Sequence, residues 1–147
     1  MAGLTNLTLL ALNSNQISDL SPLTGLTHLT VLALERNRVS DLSPVAGLTN
    51  LSTLTLMSNE LSDISALAGL TNLTMVSLGD NLLTDISPLA GLTNLTSLTV
   101  DNNDIGDITP LFVLTNLTHL WVQNVPTTAD ERRALREALP DAQITTQ

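Results

Sequence analysis

The sequence lacks cysteine and lysine, and it has almost no aromatic residues. Without cysteine, the 147-residue chain can form neither a disulfide framework nor a thiolate metal site. Aromatic residues make up 1% of the chain, which leaves only Phe112 and Trp121. Because hydrophobic residues still amount to 43%, the interior must be aliphatic and built mostly of leucine.

Positive charge is also scarce, since five arginines face fourteen acidic residues and the net charge is −9. A nucleic-acid partner and an anionic membrane surface both require clustered cations, so neither is expected. A protein partner with basic groups would be attracted instead. The chain has no apolar run long enough for a transmembrane helix and no visible signal peptide. The sequence therefore leaves the compartment open between cytoplasmic protein and fragment of a secreted or surface protein.

The dipeptide Leu-Thr recurs every 22 residues. It defines five full repeats (4–25, 26–47, 48–69, 70–91 and 92–113) and a partial sixth from Leu114. Numbered from this leucine, positions 4, 7, 9, 14, 17 and 20 of the repeats are aliphatic. One repeat cannot bury such a set alone, so stacked repeats must share a core. The alternation at positions 7 and 9 predicts one short strand in each repeat, and the strands should stack in parallel.

Two repeat positions after the strand carry the same polar residue in every full repeat, and we call each such set of equivalent residues a column. Position 12 is Asn15, Asn37, Asn59, Asn81 and Asn103, and position 16 is Asp19, Asp41, Asp63, Asp85 and Asp107. We predict that the asparagines satisfy backbone groups of their own and the adjacent repeat. The aspartates offer one carboxylate per level, which favours local Asx-type caps over a Ca²⁺ site.

A Ser-Pro pair follows the aspartate in most repeats. It predicts a single helical or 3-10 turn with serine as N-cap and proline at the first helical position. Gly25, Gly47, Gly69 and Gly91 are expected to end these turns through their permissive backbone.

The period breaks after Asn124. Thr128 and Glu131 form a capping-box pattern that predicts a helix over 129–139, which Pro140 ends. Leu135 and Leu139 should face the core, and three arginines should face outward: Arg132, Arg133 and Arg136. Ile144 then begins a short extended tail that is expected to pair with the last strand. We expect 1–125 to form the solenoid and 126–147 a helical cap of the same domain.

The consensus L-x-x-L-x-x-L-x-L-x-x-N-x-I-x-D-I-x-P-L-x-x resembles the leucine-rich repeat of bacterial internalins, and also the repeats of a eukaryotic protein phosphatase 1 regulatory subunit. The resemblance covers 4–125. It implies an α/β fold: a right-handed solenoid with a parallel sheet of short strands on its concave side and a 3-10 or irregular convex side. It also implies a scaffold that grips protein ligands. The internalin N-terminal cap and immunoglobulin-like segment have no counterpart in this sequence.

Strand positions that point away from the core vary freely between repeats, whereas the core positions barely vary. We therefore predict a non-catalytic module, without a cofactor, that binds a protein ligand through the concave face. Apolar and aromatic groups there are typical of binding surfaces. The predicted contact residues are Arg36, Arg38, Thr55, Met57, Glu60, Met75, Ser77, Leu82, Thr99, Asp101, His119 and Trp121. For Trp121, burial beneath the C-terminal helix is an open alternative.

The same residues leave other functions open. Ser97, Asp101 and His119 could lie close together, but no nucleophile elbow or oxyanion loop accompanies them, so an enzyme is not expected. A truncated, consensus-like or engineered repeat scaffold without a natural ligand is the first alternative, because the repeats are nearly identical and the first one starts in register. Ice binding by the threonine rows at positions 2 and 5 is a more distant one, since threonine also favours stacked extended backbone.

The first repeat has no preceding repeat in the sequence, although Met1-Ala2-Gly3 occupies positions 20 to 22 of one. Its strand edge and the side chains of Leu4, Leu7 and Leu10 should therefore be partly unprotected. We expect self-association through this end.

Overall fold

A computed structural model describes residues 4–146. Seven short strands form one sheet in chain order, and every neighbouring pair is parallel. Each repeat supplies one strand, as its leucine pattern predicts. The strands are β1 (Leu9–Ala11), β2 (Val31–Ala33), β3 (Thr53–Thr55), β4 (Met75–Ser77), β5 (Ser97–Thr99), β6 (His119–Trp121) and β7 (Gln143–Thr145).

The strand register keeps each repeat position in a straight column. Leu32, Leu54, Val76 and Leu98 at position 7 are opposite one another, and all are at most 1% exposed. Each fully buried leucine contributes about 2 kcal/mol of transfer free energy, so the shared core rather than the three-residue strands stabilises the solenoid. The predicted aliphatic interior is confirmed.

The asparagine column joins successive repeats, as predicted. Asn81 Nδ2 donates to the carbonyl oxygens of Leu78 in its own repeat and Leu56 in the preceding one, each at 3.0 Å. Asn81 Oδ1 accepts the N–H of Leu61, also at 3.0 Å. The same pattern recurs at Asn37, Asn59 and Asn103. One side chain therefore satisfies three backbone groups that no strand pairs.

Five 3-10 turns line the side opposite the sheet: Ser21–Leu23, Ser43–Val45, Ser65–Leu67, Ser87–Gly91 and Thr109–Val113. Asp63 Oδ1 accepts the N–H of Ser65 at 2.7 Å, and the other four aspartates of the column do the same two residues before their turns. The Asx-type caps are confirmed. The prediction that serine is the N-cap is wrong, because serine is the first residue of the turn and the aspartate side chain already serves its N–H.

The expected role of the glycines is also wrong. Gly25, Gly47 and Gly69 do not lie in the left-handed region, and a Cβ there would meet nothing within 4 Å. The left-handed backbone occurs instead at position 11, directly after the strand, with φ between 53° and 57°. That column is Ser14, Arg36, Ser58, Asp80, Asn102 and Asn124. The sharp turn thus follows the strand, where Asn and Asp tolerate this conformation.

The C-terminal segment forms α1 (Ala129–Ala138) behind the predicted capping box. Glu131 N–H donates to Thr128 Oγ1 at 3.2 Å, and Thr128 N–H donates to Glu131 Oε2 at 2.7 Å. Leu135 and Leu139 are buried, as predicted. The helix ends one residue early because Leu139 precedes Pro140, and a residue before proline disfavours the α conformation.

Arg133 and Arg136 face outward, but the same prediction for Arg132 is wrong. Its guanidinium folds back and donates to the carbonyl and hydroxyl oxygens of Thr127. α1 packs against the last 3-10 turn, Thr109–Val113. After the helix, Ile144 pairs with Leu120, which confirms the expected tail strand.

The first repeat is less buried than the others, as expected. Leu4 is 51% exposed, and Leu7 and Leu10 are half-buried, whereas Leu29 and Leu32 at the corresponding positions of the second repeat are fully buried. The segment Met1-Ala2-Gly3 lies outside the described residues. Across residues 4–146, no helix has the length and apolar character needed to cross a membrane.

Candidate protein-binding face

The side chains that leave the sheet away from the core form what we call the sheet face. It comprises positions 6, 8 and 10 of each repeat, together with positions 11 and 13 of the turn that follows. The register places Thr55, Ser77, Thr99 and Trp121 side by side at position 8 of four neighbouring strands. All four are half-buried, and Met75 beside them is 44% exposed. These five predicted residues therefore lie together on the outward side.

Trp121 belongs to this surface rather than to the core. Its ring stacks on that of His119, with centroids 5.7 Å apart and planes inclined by 15°. Residues two apart in a strand share one face, so the pair forms an aromatic ledge on β6. Because Trp121 is only half-buried, beside His119, and α1 packs against the last 3-10 turn, the alternative of burial beneath that helix does not hold.

A glycine creates a shallow notch in the sheet face. Gly79 occupies position 10, where the other repeats carry a side chain. A Cβ at Gly79 would lie 3.3 Å from Thr99 Cγ2 and 3.4 Å from the Met57 methyl carbon. Both side chains therefore lie against the bare backbone at Gly79, and Trp121 is opposite Thr99 in the strand register. We call Met57, Thr99 and Trp121 the apolar strip. The sequence carried a signal for this, a lone glycine in a side-chain column, which the prediction of contact residues missed.

Carboxylates and amides form a ladder along one border of the face. Asp80 accepts hydrogen bonds from Ser58 Oγ at 3.3 Å and Asn102 Nδ2 at 2.7 Å. Asn124 Nδ2 extends the ladder to Asn102 Oδ1, also at 2.7 Å. Asp80, Asn102 and Asn124 were not among the predicted contact residues. Their shared left-handed backbone places the side chains in register.

Asp101 stands beside this ladder and close to the aromatic ledge. Its Oδ1 accepts the N–H of Gln123 at 2.7 Å, and Gln123 is two residues after Trp121. Burial raises the pKa of the Asp101 carboxyl above its ordinary value, and the charge of Asp80 acts in the same direction. Two carboxyl groups, those of Asp80 and Asp101, are thus close to each other at this corner.

The remaining predicted residues lie towards the rim of the face. Arg36, Arg38 and Glu60 are exposed in the turns after β2 and β3. Leu82 is 62% exposed and borders an open cavity of about 550 Å³. Asn81, Asn102, Asn124 and Pro126 are among the residues that line the cavity with it. These four predicted residues are separate from the strip of Met57, Thr99 and Trp121.

The polar side chains of this region form neither a catalytic triad nor a metal site among residues 4–146. His119 Nδ1 lies 3.0 Å from Thr118 Oγ1, and within residues 4–146 no hydrogen bond joins His119 to Ser97 or Asp101. The described part of the chain also contains no group of three or more His, Asp or Glu placed to hold a metal ion. Thr55 Oγ1 is buried and has no hydrogen-bond partner among the described residues.

The threonine row at position 5 is part of the scaffold. Each hydroxyl donates to the carbonyl oxygen of the residue at the same position in the preceding repeat, as Thr96 Oγ1 does to Thr74 at 3.1 Å. The same bond recurs at Thr30, Ser52, Thr74 and Thr118. These bonds support the interpretation that stacked backbone, rather than a ligand, selects hydroxyl residues at position 5.

A family model for leucine-rich repeats in two copies matches residues 5–47, 29–69, 49–91 and 71–112. The chain belongs to the leucine-rich-repeat family. Its repeats are internalin-like, in agreement with the resemblance of the consensus. This fold is typical of protein–protein interaction modules.

Solved leucine-rich-repeat proteins show the same architecture. Internalin C2 of Listeria monocytogenes is 42% identical over 97% of the chain, with a TM-score of 0.85. The internalin inlF of Listeria monocytogenes is 39% identical over 98%, with a TM-score of 0.86. The chain spans 65% and 44% of the lengths of these two proteins.

A leucine-rich-repeat protein of Leptospira interrogans is 22% identical over 97% of this chain and 43% of its own. Its TM-score of 0.80 shows a shared fold alone. The comparison with curated protein sequences gives no significant match.

Proposed function

We propose that this leucine-rich-repeat chain is a non-catalytic module that binds a protein partner through its sheet face. The observation that carries the proposal is the apolar strip of Met57, Thr99 and Trp121, flanked by exposed Met75. Core packing does not require apolar groups at these outward positions. Trp and Met are enriched where proteins meet, because they supply large or adaptable contact area. In this proposal the segment 126–147 caps the same domain and takes no part in binding.

The charge of the chain supports a partner with positive groups. The net charge is −9, and the residues around the strip include Asp80, Asp101 and Asp104. Oppositely charged surfaces associate faster and exclude wrong partners. The same excess of negative charge opposes nucleic acid and anionic membranes as ligands.

A peptide-display selection on the immobilised chain provides ligands that test the proposal. The affinity of the selected peptides is then measured for two variants with the same change in charge. The first carries Met57→Glu, Met75→Glu and Trp121→Glu on the sheet face. The second carries Ala46→Glu, Ala68→Glu and Val113→Glu, all exposed near the 3-10 turns. We expect the selected peptides to lose at least about tenfold in affinity for the first variant and to bind the second like the parent chain. Equal affinity for both variants would refute the proposal.

We further propose that two copies associate through the first repeat. The exposed Leu4 and the half-buried Leu7 and Leu10 support this, together with the outer edge of β1, which pairs with no strand formed by residues 4–146. Light scattering over a concentration series should show growing mass for the parent chain and for Val113→Glu, but less growth for Leu4→Glu. A constant monomer mass for the parent chain would refute this second proposal.

A further inference from the structure

The corner of the sheet face around Trp121 combines an aromatic ring with negative charge. The indole is half-buried, so part of the ring remains open to a ligand. The Asp101 carboxylate bonds the backbone two residues after Trp121, and the Asp80 ladder runs beside it. An aromatic ring and nearby carboxylates both attract a cation, and guanidinium suits both because it is planar and weakly hydrated.

These carboxylates have no cationic partner within the described chain. Among residues 4–146 the one ion pair joins Arg133 to Asp130 on α1, at 2.9 Å. The hydrogen-bond partners of Asp80 and Asp101 given above are a hydroxyl, an amide and a backbone N–H, none of which carries charge. Arg36 and Arg38, the two arginines of the sheet face, lie two repeats before Asp80 and three before Asp101. Strand spacings of about 4.8 Å place them roughly 10 Å from Asp80 and roughly 14 Å from Asp101 along the sheet.

We infer that the sheet face docks a protein segment that places an arginine or lysine side chain against Trp121, Asp101 and Asp80. The apolar part of the same segment lies on the strip of Met57 and Thr99. This inference rests on the proposed function and specifies the chemistry of the partner. No other part of residues 4–146 packs on this corner of the sheet face. Its negative charge indicates that the partner carries a positive side chain there.

The repeats themselves supply neutral substitutes for both aspartates. Asn13 occupies the position of Asp101 in the first repeat, and its Oδ1 accepts the N–H of Glu35 at 3.0 Å. Asn102 occupies the left-handed position of Asp80 in the next repeat. A variant with Asp80→Asn and Asp101→Asn therefore removes both charges and keeps one oxygen at each position, to accept from Asn102 Nδ2 and from the N–H of Gln123. The new amide nitrogen at position 80 can donate to Ser58 Oγ, which donates to Asp80 in the parent chain. Glu137→Gln with Asp141→Asn, both exposed near the C-terminus, is the matched control with the same change in net charge.

Trp121 is the only tryptophan and the chain has no tyrosine, so its fluorescence reports on this corner directly. The probe is a capped heptapeptide of alternating leucine and threonine around one central arginine, titrated against the full chain. Its isostere contains citrulline, which keeps the planar shape of arginine and some of its N–H donors but carries no charge. We expect the arginine peptide to bind about fivefold or more tightly than the citrulline peptide. The Asp80→Asn, Asp101→Asn variant should lose this preference, and the control variant should retain it.

The outcomes separate this inference from the proposed function. Equal binding of the two peptides to the parent chain overturns the inference and leaves peptide binding at the face intact. A preference for arginine that survives in the Asp80→Asn, Asp101→Asn variant also overturns it, because the charge would then act elsewhere. No saturable response of Trp121 to the arginine peptide overturns it as well. The proposed function is decided independently, by the comparison of the two glutamate variants.

Discussion

His119 and Trp121 stack on the outward side of β6, with ring centroids 5.7 Å apart. The partner of the indole ring is thus an exposed neighbour and not the hydrophobic core. Such a pair fixes the orientation of the indole at the surface and leaves the core unchanged.

Removing the imidazole of His119 should therefore change the solvent exposure of Trp121 more than it changes the free energy of unfolding. We expect His119→Ala to lower the free energy of unfolding by less than about 1 kcal/mol, as is usual for an exposed aromatic pair. Quenching of Trp121 fluorescence by acrylamide should increase, since the indole loses one covered side. His28→Ala is the control, because His28 bonds the Thr5 carbonyl on another flank. Identical quenching in the two variants would show that the stack does not shield Trp121.

Asn81 should contribute far more to the free energy of unfolding than Asn15, which occupies the same position in the first repeat. Asn81→Ala leaves the buried N–H of Leu61 without its acceptor, and the carbonyl oxygens of Leu56 and Leu78 each lose one of two amide donors. We expect a loss of about 2 kcal/mol in the free energy of unfolding, measured by urea denaturation. Asn15 is exposed and serves only carbonyls of its own repeat, so Asn15→Ala should cost less. Equal losses at both positions would contradict the structural role of the column.

Gly47 should tolerate alanine, contrary to what a helix-ending glycine would allow. Its backbone is outside the left-handed region, and an added Cβ meets nothing within 4 Å. Because alanine restricts the unfolded chain, we expect Gly47→Ala to raise the free energy of unfolding by about 0.5 kcal/mol. Gly79→Ala should not share this gain, since its Cβ would press against Thr99 and Met57. Destabilisation by Gly47→Ala in thermal unfolding would instead support the interpretation that this glycine ends the turn through its permissive backbone.

The capping aspartates predict loss of stability in acid. Hydrogen bonds from the backbone N–H and side chain of Ser65 lower the pKa of Asp63, and those of Thr109 lower the pKa of Asp107. A carboxyl whose pKa is lower in the folded state stabilises it above the unfolded pKa, and that contribution disappears as pH falls through the folded pKa. Burial raises the pKa of Asp101, so protonation there has the opposite sign.

Urea denaturation at neutral pH and near pH 3 measures this dependence. The double variant Asp63→Asn, Asp107→Asn keeps an oxygen to accept each N–H and should lose less stability in acid than the parent chain. Asp104→Asn, at an exposed position on the sheet face, is the control and should behave like the parent chain. A double variant as acid-sensitive as the parent would show that these caps do not set the pH dependence.

Much of the fold followed from the sequence because a strict period turns each position into a column with one environment. Leu54 and Asn81 could be assigned in this way, since stacking repeats their surroundings at every level. The prediction was wrong where a local choice depends on exact backbone geometry. Serine and aspartate can both cap turns, and only the structure shows that the Asp63 carboxylate accepts the N–H of Ser65.

The candidate site was less predictable, for a related reason. The outward direction of Thr55, Met75 and Trp121 followed from strand alternation. The neighbours of a side chain at another repeat position did not follow, because Met57 and Thr99 both lie against the backbone of a single glycine, Gly79. Arg132 shows the same limit, since a long flexible side chain can fold back onto Thr127 instead of facing solvent.

Protection of single cysteines by a bound peptide locates the binding surface most directly, and the absence of native cysteine makes the background clean. Thr99→Cys places a thiol in the centre of the sheet face, and Ala46→Cys places one beside a 3-10 turn. With a display-selected peptide at saturation, we predict that maleimide labelling slows at Thr99→Cys and stays unchanged at Ala46→Cys. Protection at Ala46→Cys with free labelling at Thr99→Cys would contradict the account.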